Sequence, residues 1–201
     1  MTKTPVALTL NAGSSSLKFA LYDISGAPVE LASGLVDSIG ATPRLKADFG
    51  AAAPSLKRDL TAAEARDHVS ALNTALGELR QKFPDAKASV VGHRVVHGGP
   101  VYSEPVEITS DVLEELRRFS PFAPIHQPHN LAGVEAAMAA FPDALQVACF
   151  DTAFHRSHPK VNDVFALPRA YYDKGVRRYG FHGLSYDHIS GELKRLAPLV
   201  H

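Results

Sequence analysis

The octapeptide Asn11-Ala-Gly-Ser-Ser-Ser-Leu-Lys18 sits between two segments whose patterns oblige the chain to double back. Before it, the apolar run Val6-Ala-Leu-Thr-Leu10 reads as a short buried strand. After it, Leu17, Phe19 and Leu21 alternate with Lys18, Ala20 and Tyr22, the period of a strand with one face buried. A hairpin is predicted, with a small, hydroxyl-rich tip in which Gly13 permits a tight turn and close approach of a ligand. Backbone N–H groups, the hydroxyls of Ser14, Ser15 and Ser16, and the Lys18 cation supply what a phosphate group requires. The same residues also suit an ordinary polar hairpin. The spacing is not that of a P-loop, and Gly13 stands where an N-glycosylation site needs Ser or Thr.

Further along, Pro28 to Val36 reads as a third strand turned at Gly26, and Gly40 to Pro54 has no legible pattern. Thr61 with Glu64 matches a capping box. Val69, Leu72, Leu76, Leu79 and Phe83 then predict an amphipathic helix ended by Pro84. Ser89–Val96 reads as a strand. Thr109-Ser-Asp111 opens a helix carrying Val112, Leu113, Leu116 and Phe119, and a second helix carries Leu131, Val134, Met138 and Phe141. Leu145–Phe150 is a strand, and a last helix carries Ile189, Leu193 and Leu196. Three strands followed by alternating helices and strands predict an α/β fold. Asn11, Arg94–Gly99 and Asp151 fall at strand ends, where open α/β sheets gather their ligands.

Composition narrows the partners. In 201 residues, 21 basic and 21 acidic side chains balance to a net charge of zero, so neither nucleic acid nor an anionic membrane is expected as a partner. No run reaches transmembrane length. The one cysteine, Cys149, reads as a small core residue, and no intrachain disulfide can form, which fits a cytoplasmic, reducing setting.

Four segments carry chemistry. In His93-Arg-Val-Val-His-Gly-Gly99, Arg94 lies among apolar strand residues and must be paired, either with a substrate carboxylate or phosphate or in a structural ion pair. His93 and His97, four apart on a strand, would stand roughly 13 Å from each other, too far for one metal ion. His126-x-x-His129 and His155-x-x-His158 lack a zinc signature. Asp151, at a strand tip, can hold magnesium, orient a water, act as a base or cap a turn. Arg177-Arg-Tyr-Gly-Phe-His-Gly183 gathers cations and the His182 imidazole at a tight turn, a setting suited to developing phosphoryl charge.

Together, Asn11–Lys18, Gly92–Gly99, Phe150-Asp-Thr-Ala-Phe-His155 and Arg177–Gly183 occur in the order and spacing of the acetate kinases. The chain resembles the N-terminal half of that family over essentially its whole length. The resemblance implies a ribonuclease H-like (actin-like ATPase) α/β domain with a mixed sheet, an antiparallel hairpin start and flanking helices. It implies reversible, magnesium-dependent transfer of the ATP γ-phosphoryl group to acetate, giving acetyl phosphate and ADP. By the same resemblance Asn11 helps place magnesium, Ser14, Ser16 and Lys18 meet ATP and its phosphates, and Arg94 holds acetate or acetyl phosphate. Asp151 is the essential acid, read here as orienting or magnesium-linked because acetate is already ionised. His182 stabilises the transition state, His126 lies on the phosphate side, and Val96, Ile125 and Phe181 wall the methyl pocket. Two positions depart from the family run Phe-His-Gly-Thr-Ser-His, which here reads Phe181-His-Gly-Leu-Ser-Tyr186.

The expectation is that residues 1–201 are a single N-terminal lobe, that the C-terminal lobe with the adenosine pocket is absent, and that the isolated chain has little activity. The family is homodimeric through contacts lying largely in the absent half. A propionate or other short-chain acyl kinase is the nearest alternative. A non-catalytic lobe binding nucleotide or a partner is another.

Overall fold

The computed structural model describes residues 3–199. Strands β1 (Thr4–Ala12), β2 (Leu17–Asp23), β3 (Val29–Asp37), β4 (Arg44–Asp48) and β5 (Leu56–Asp59) form an antiparallel meander. Helix α1 (His68–Lys82) returns the chain to β6 (Ala86–Val95), which lies parallel to β1. Strand β7 (Val106–Glu107) and helices α2 (Ser110–Arg118) and α3 (Gln127–Ala140) precede β8 (Leu145–Phe150). β8 runs parallel to β6, giving an 8-stranded sheet of order β5-β4-β3-β2-β1-β6-β8-β7. Short 3-10 turns and helices α4 (Arg169–Asp173) and α5 (Gly183–Leu196) follow. This is the mixed sheet with a hairpin start and flanking helices that the sequence predicts.

Alternation along the first two strands decides which face is covered. Val6, Leu8, Leu10, Leu17, Phe19 and Leu21 are buried, and they cluster with Leu72, Leu76 and Leu79 of α1 and Ala137 of α3. Each of these valine, leucine and phenylalanine side chains removed from water contributes about 1.5–3 kcal/mol. A second cluster packs Val95 and Phe150 against Leu113, Leu116, Leu131 and Val134 of α2 and α3. The intervening residues of β1 and β2, Thr9, Asn11, Lys18 and Ala20 among them, turn to the other face and stay at least partly exposed.

Four details differ from the sequence reading. The Thr61–Glu64 pattern closes a free turn rather than starting α1: Glu64 accepts the Thr61 backbone N–H at 2.8 Å and its hydroxyl at 2.9 Å. The Thr61 backbone bond foremost, then the Arg58 guanidinium at 2.8 Å and the Thr61 hydroxyl, pull the Glu64 carboxyl down to about 2. The helix begins six residues later, at a capping box formed by Asp67 and Ser70. Val69 falls outside the buried stripe, whose first members are His68, Ala71 and Leu72. Within the unpatterned stretch, Leu45 and Ala47 are buried while Arg44, Lys46 and Asp48 are exposed, a strand too short to stand out in sequence. The last helix forms, but Ile189, Leu193 and Leu196 are 53%, 48% and 68% exposed.

Candidate active site

The turn after β1 has its carbonyl groups drawn inward. Gly13 O accepts His68 Nε2–H at 2.6 Å, Ala12 O accepts Asn130 Nδ2–H at 2.5 Å, and Ser15 O accepts the Ile39 N–H at 2.9 Å. Ser16 O is taken by the Gly13 N–H at 2.8 Å. Among the described residues, no acceptor meets the N–H groups of Ser14, Ser15 and Ser16. With its carbonyls so engaged, the turn leaves three neighbouring N–H groups as donors of the kind an anion takes. Ser14 is exposed and Ser16 half-buried at its rim.

Strand register lines up the charged residues on one face. Lys18 lies directly opposite Asn11 across the hairpin. Leu10 aligns with His93 in the parallel pair, so the next residues, Asn11 and Arg94, are neighbours. Arg94 in turn aligns with Cys149, two residues before Asp151. The guanidinium joins these strand ends: Nη1 donates to Asn11 Oδ1 at 3.0 Å, Nε to Asp151 Oδ1 at 3.1 Å, and Nη2 to Asp151 Oδ2 at 2.5 Å. The Asp151 side chain is 3% exposed and that of Arg94 31%. Of the two pairings open to it in the sequence, Arg94 forms the ion pair inside the protein, and two of its five N–H groups stay outside these contacts. Asp151 also holds the next segment, because its backbone carbonyl accepts the Gly183 N–H at 2.8 Å.

That contact sets His182 beside the cluster. His182 is left-handed, with φ 58°, at the start of α5, and its imidazole is exposed. A Cβ on Gly183 would stand 2.3 Å from Asp151 O, so only glycine permits this junction. His155 Nε2–H donates to Phe181 O at 2.9 Å and fixes the same loop from the other side. Phe181 is half-exposed, with its ring 5.8 Å from that of buried His97. Val96 is buried, Ile125 is 68% exposed, and His126 is exposed at the start of α3.

His97 is packed among Phe122, Tyr179 and Phe181. Burial, with some help from the Arg156 charge, pushes its imidazole down to about 4. Its Nδ1 accepts the Gly99 N–H at 2.8 Å, which fixes the neutral ring with its proton on Nε2. His93 faces the covered side, paired with Gln146 at 2.8 Å, and burial lowers its pKa too. Cys149 is half-buried on the opposite face and burial pushes its thiol up. Among the described residues no group of three or more His, Cys, Asp or Glu side chains could hold a metal ion.

Sequence reasoning missed the amides that hold this arrangement. Asn130 Oδ1 accepts the Val96 N–H at 2.9 Å while its Nδ2 reaches Ala12 O, tying the tips of β6 and β1 together. One turn earlier, Gln127 accepts the His97 N–H at 3.2 Å and donates to His97 O at 3.0 Å. Both are almost wholly buried. Two amides three apart on a helix otherwise facing a core were the available signal.

A sequence model of the acetokinase family matches residues 6–199. The chain belongs to the acetokinase family. An acetate kinase of Methylocella silvestris is 50% identical over 200 residues, spanning 96% of this chain and 50% of that protein. A propionate kinase of Escherichia coli O157:H7 is 38% identical, spanning 94% of this chain and 46% of its own length. In three dimensions, a crystal structure of Porphyromonas gingivalis acetate kinase superposes with a TM-score of 0.83 at 35% identity, covering 97% of this chain and 49% of that one. The chain thus spans about half the length of the family members it matches. The sheet from Val6 onward and the strand-end cluster of this chain lie within residues 6–199, which the family model matches.

Proposed function

We propose that this chain is the N-terminal lobe of an acetate kinase, a magnesium-dependent enzyme that reversibly moves the ATP γ-phosphoryl group to acetate. The observation that carries the reading is Arg94 held between Asp151 and Asn11 beside a turn of free N–H groups. In the forward reaction an acetate oxygen forms a bond to the γ-phosphorus. The bond to the bridging oxygen breaks, and ADP leaves with that electron pair. Acetate enters ionised, so no proton has to be removed.

Each residue then has a task. The two spare N–H groups of Arg94 hold the carboxylate, and Asp151 keeps the guanidinium aimed. The Ser14–Ser16 N–H groups, their hydroxyls and Lys18 receive phosphate oxygens, and His182 and His126 offer donors to the transferring group. Val96, Phe181 and Ile125 border the methyl. Holding two anions in line and offsetting their charge is the larger part of phosphoryl-transfer catalysis. Asn11 Oδ1 and the Asp151 carboxylate are hard oxygen donors near the phosphate turn, and they fit the few protein ligands that magnesium takes beside phosphates and water. Magnesium supplies charge neutralisation across the phosphate oxygens when bound.

A binding and activity test on the 201-residue chain checks this reading. Acetyl phosphate should shift the Arg94 Nε–H resonance, and Arg94→Gln should abolish binding. Hydroxamate formation from ATP, acetate and hydroxylamine should stay at background until the second lobe is supplied. Absence of acetyl phosphate binding sinks the site assignment, and turnover by this chain alone sinks its reading as one lobe. Similarity to a propionate kinase supports a short-chain acyl kinase as the second reading, and rates with acetate, propionate and butyrate separate the two. A lone cysteine and the absence of a membrane-crossing helix among the described residues support action in the cytoplasm.

A further inference from the structure

We infer that the open face of the meander carries a second anion site, which adjoins the turn after β1 and shares Lys18 with it: a shallow, lysine-lined groove that takes a linear oligophosphate chain. Register places Lys18, Leu35, Lys46 and Lys57 in one rank across β2, β3, β4 and β5. Lys18, Lys46 and Lys57 line a shallow, open depression of about 540 Å³ together with Ser33, Ser55 and Asp48. No side-chain hydrogen bond or ion pair engages any of the three ammonium groups among the described residues.

The pairing of β4 with β5 points to a missing counter-charge. Lys46 lies directly opposite Lys57, an arrangement in which like charges repel. The adjacent rank of the same two strands is complementary, with Arg44 joined to Asp59 at 2.7 Å. Asp48 offsets the lysines only in part: it is one carboxylate against three ammonium groups, and it is held by the Gly50 N–H at 2.9 Å in the turn after β4. Lysine on an outermost strand discourages edge-to-edge association. That accounts for Lys57 on β5 but not for Lys46 or Lys18, which lie inside the sheet. Strands about 4.8 Å apart set Lys57 and Lys46 one step, and Lys46 and Lys18 two steps, along the rank. One phosphate can satisfy a single lysine pair, whereas a chain of phosphates follows the whole rank to the hairpin turn.

Thermal melting of the 201-residue chain with sodium tripolyphosphate, ATP or orthophosphate provides the test. Tripolyphosphate should raise Tm, since a ligand bound only by the native state stabilises it. Orthophosphate at equal ionic strength should not. The double variant Lys46→Gln/Lys57→Gln should melt no lower than the parent without anion, and should bind tripolyphosphate about tenfold more weakly, the loss of two exposed charge contacts. If ATP gives a shift with the same dependence on Lys46 and Lys57, the occupant is a nucleotide tail. If tripolyphosphate alone does so, it is a free oligophosphate. Arg94→Gln should keep the tripolyphosphate shift, which separates this site from the strand-end cluster. No shift, a shift undiminished in the double variant, or a shift lost in Arg94→Gln overturns the inference.

Discussion

At the scale of single residues, the strand-end cluster owes its order to groups with no alternative partner. Asp151→Asn keeps the shape but removes the charge that both Nε and Nη2 of Arg94 meet. It should cost about 2 kcal/mol, as for hydrogen bonds to charged groups, and chemical denaturation would read it. Full binding of acetyl phosphate by that variant would contradict the aiming role of Asp151. Gly183→Ala should cost about 1–3 kcal/mol from overpacking, with the largest amide shifts at residues 151 and 182–186. Its cause is the 2.3 Å approach to Asp151 O, and a variant as stable as the parent would disprove that tightness.

His97 makes stability depend on pH in a defined direction. Its folded pKa, about 4, lies below the usual 6.5, so the native state holds the neutral ring and the unfolded chain binds the proton first. The stabilisation is whole above pH 6.5 and is lost as pH falls toward 4, with His93 adding in the same direction. The span corresponds to roughly 3 kcal/mol, at about 1.4 kcal/mol per unit. Urea titrations between pH 7 and 4 should show the decline, and His97→Asn should flatten it. An unchanged slope in that variant would assign the decline to other groups.

Among the elements, α3 does more than cover the sheet. Asn130 and Gln127 fix the tips of β1 and β6 from the buried side, so the helix sets how far the turn after β1 stands from Arg94. Asn130→Ala leaves the Val96 N–H and Ala12 O unpaired, at about 1–3 kcal/mol each. It should also weaken acetyl phosphate binding in protein that remains folded. Equal binding at lower stability would leave Asn130 a purely structural role.

The same scale shows what the sequence could reveal. β1, β2 and β8 were legible because buried and open positions alternate or run together in them. Asn11, Arg94 and Asp151 stood out as polar groups at the ends of such runs. The start of α1 was misplaced because Thr61 and Glu64 satisfy the same local pattern as Asp67 and Ser70, and only the packing of Ala71 and Leu72 selects between them. β4 and β5 were unreadable because a strand of five residues and one of four draw their stability from neighbours rather than from their own composition. Asn130 was invisible because its partners are backbone groups on other elements.

For the whole molecule, one register line crosses the sheet from Lys57 through Lys18, Asn11 and Arg94 to Cys149, just short of Asp151. The covered face supplies cohesion and the open face presents charge. A slip of one residue in any strand would exchange the two. Apolar Tyr186, Ile189, Leu193 and Leu196 remain exposed along α5, at the far end of the described chain.

The contacts of Arg94 also set an order of events during folding. Its bond to Asn11 joins residues 83 positions apart and its bonds to Asp151 join residues 57 apart, so each closes a long loop. Hairpins and helices can form early from near neighbours, whereas these contacts must wait until both parallel pairings have come together. A nascent or partly unfolded chain therefore has no aimed guanidinium. The aimed guanidinium arrives only with completion of the sheet.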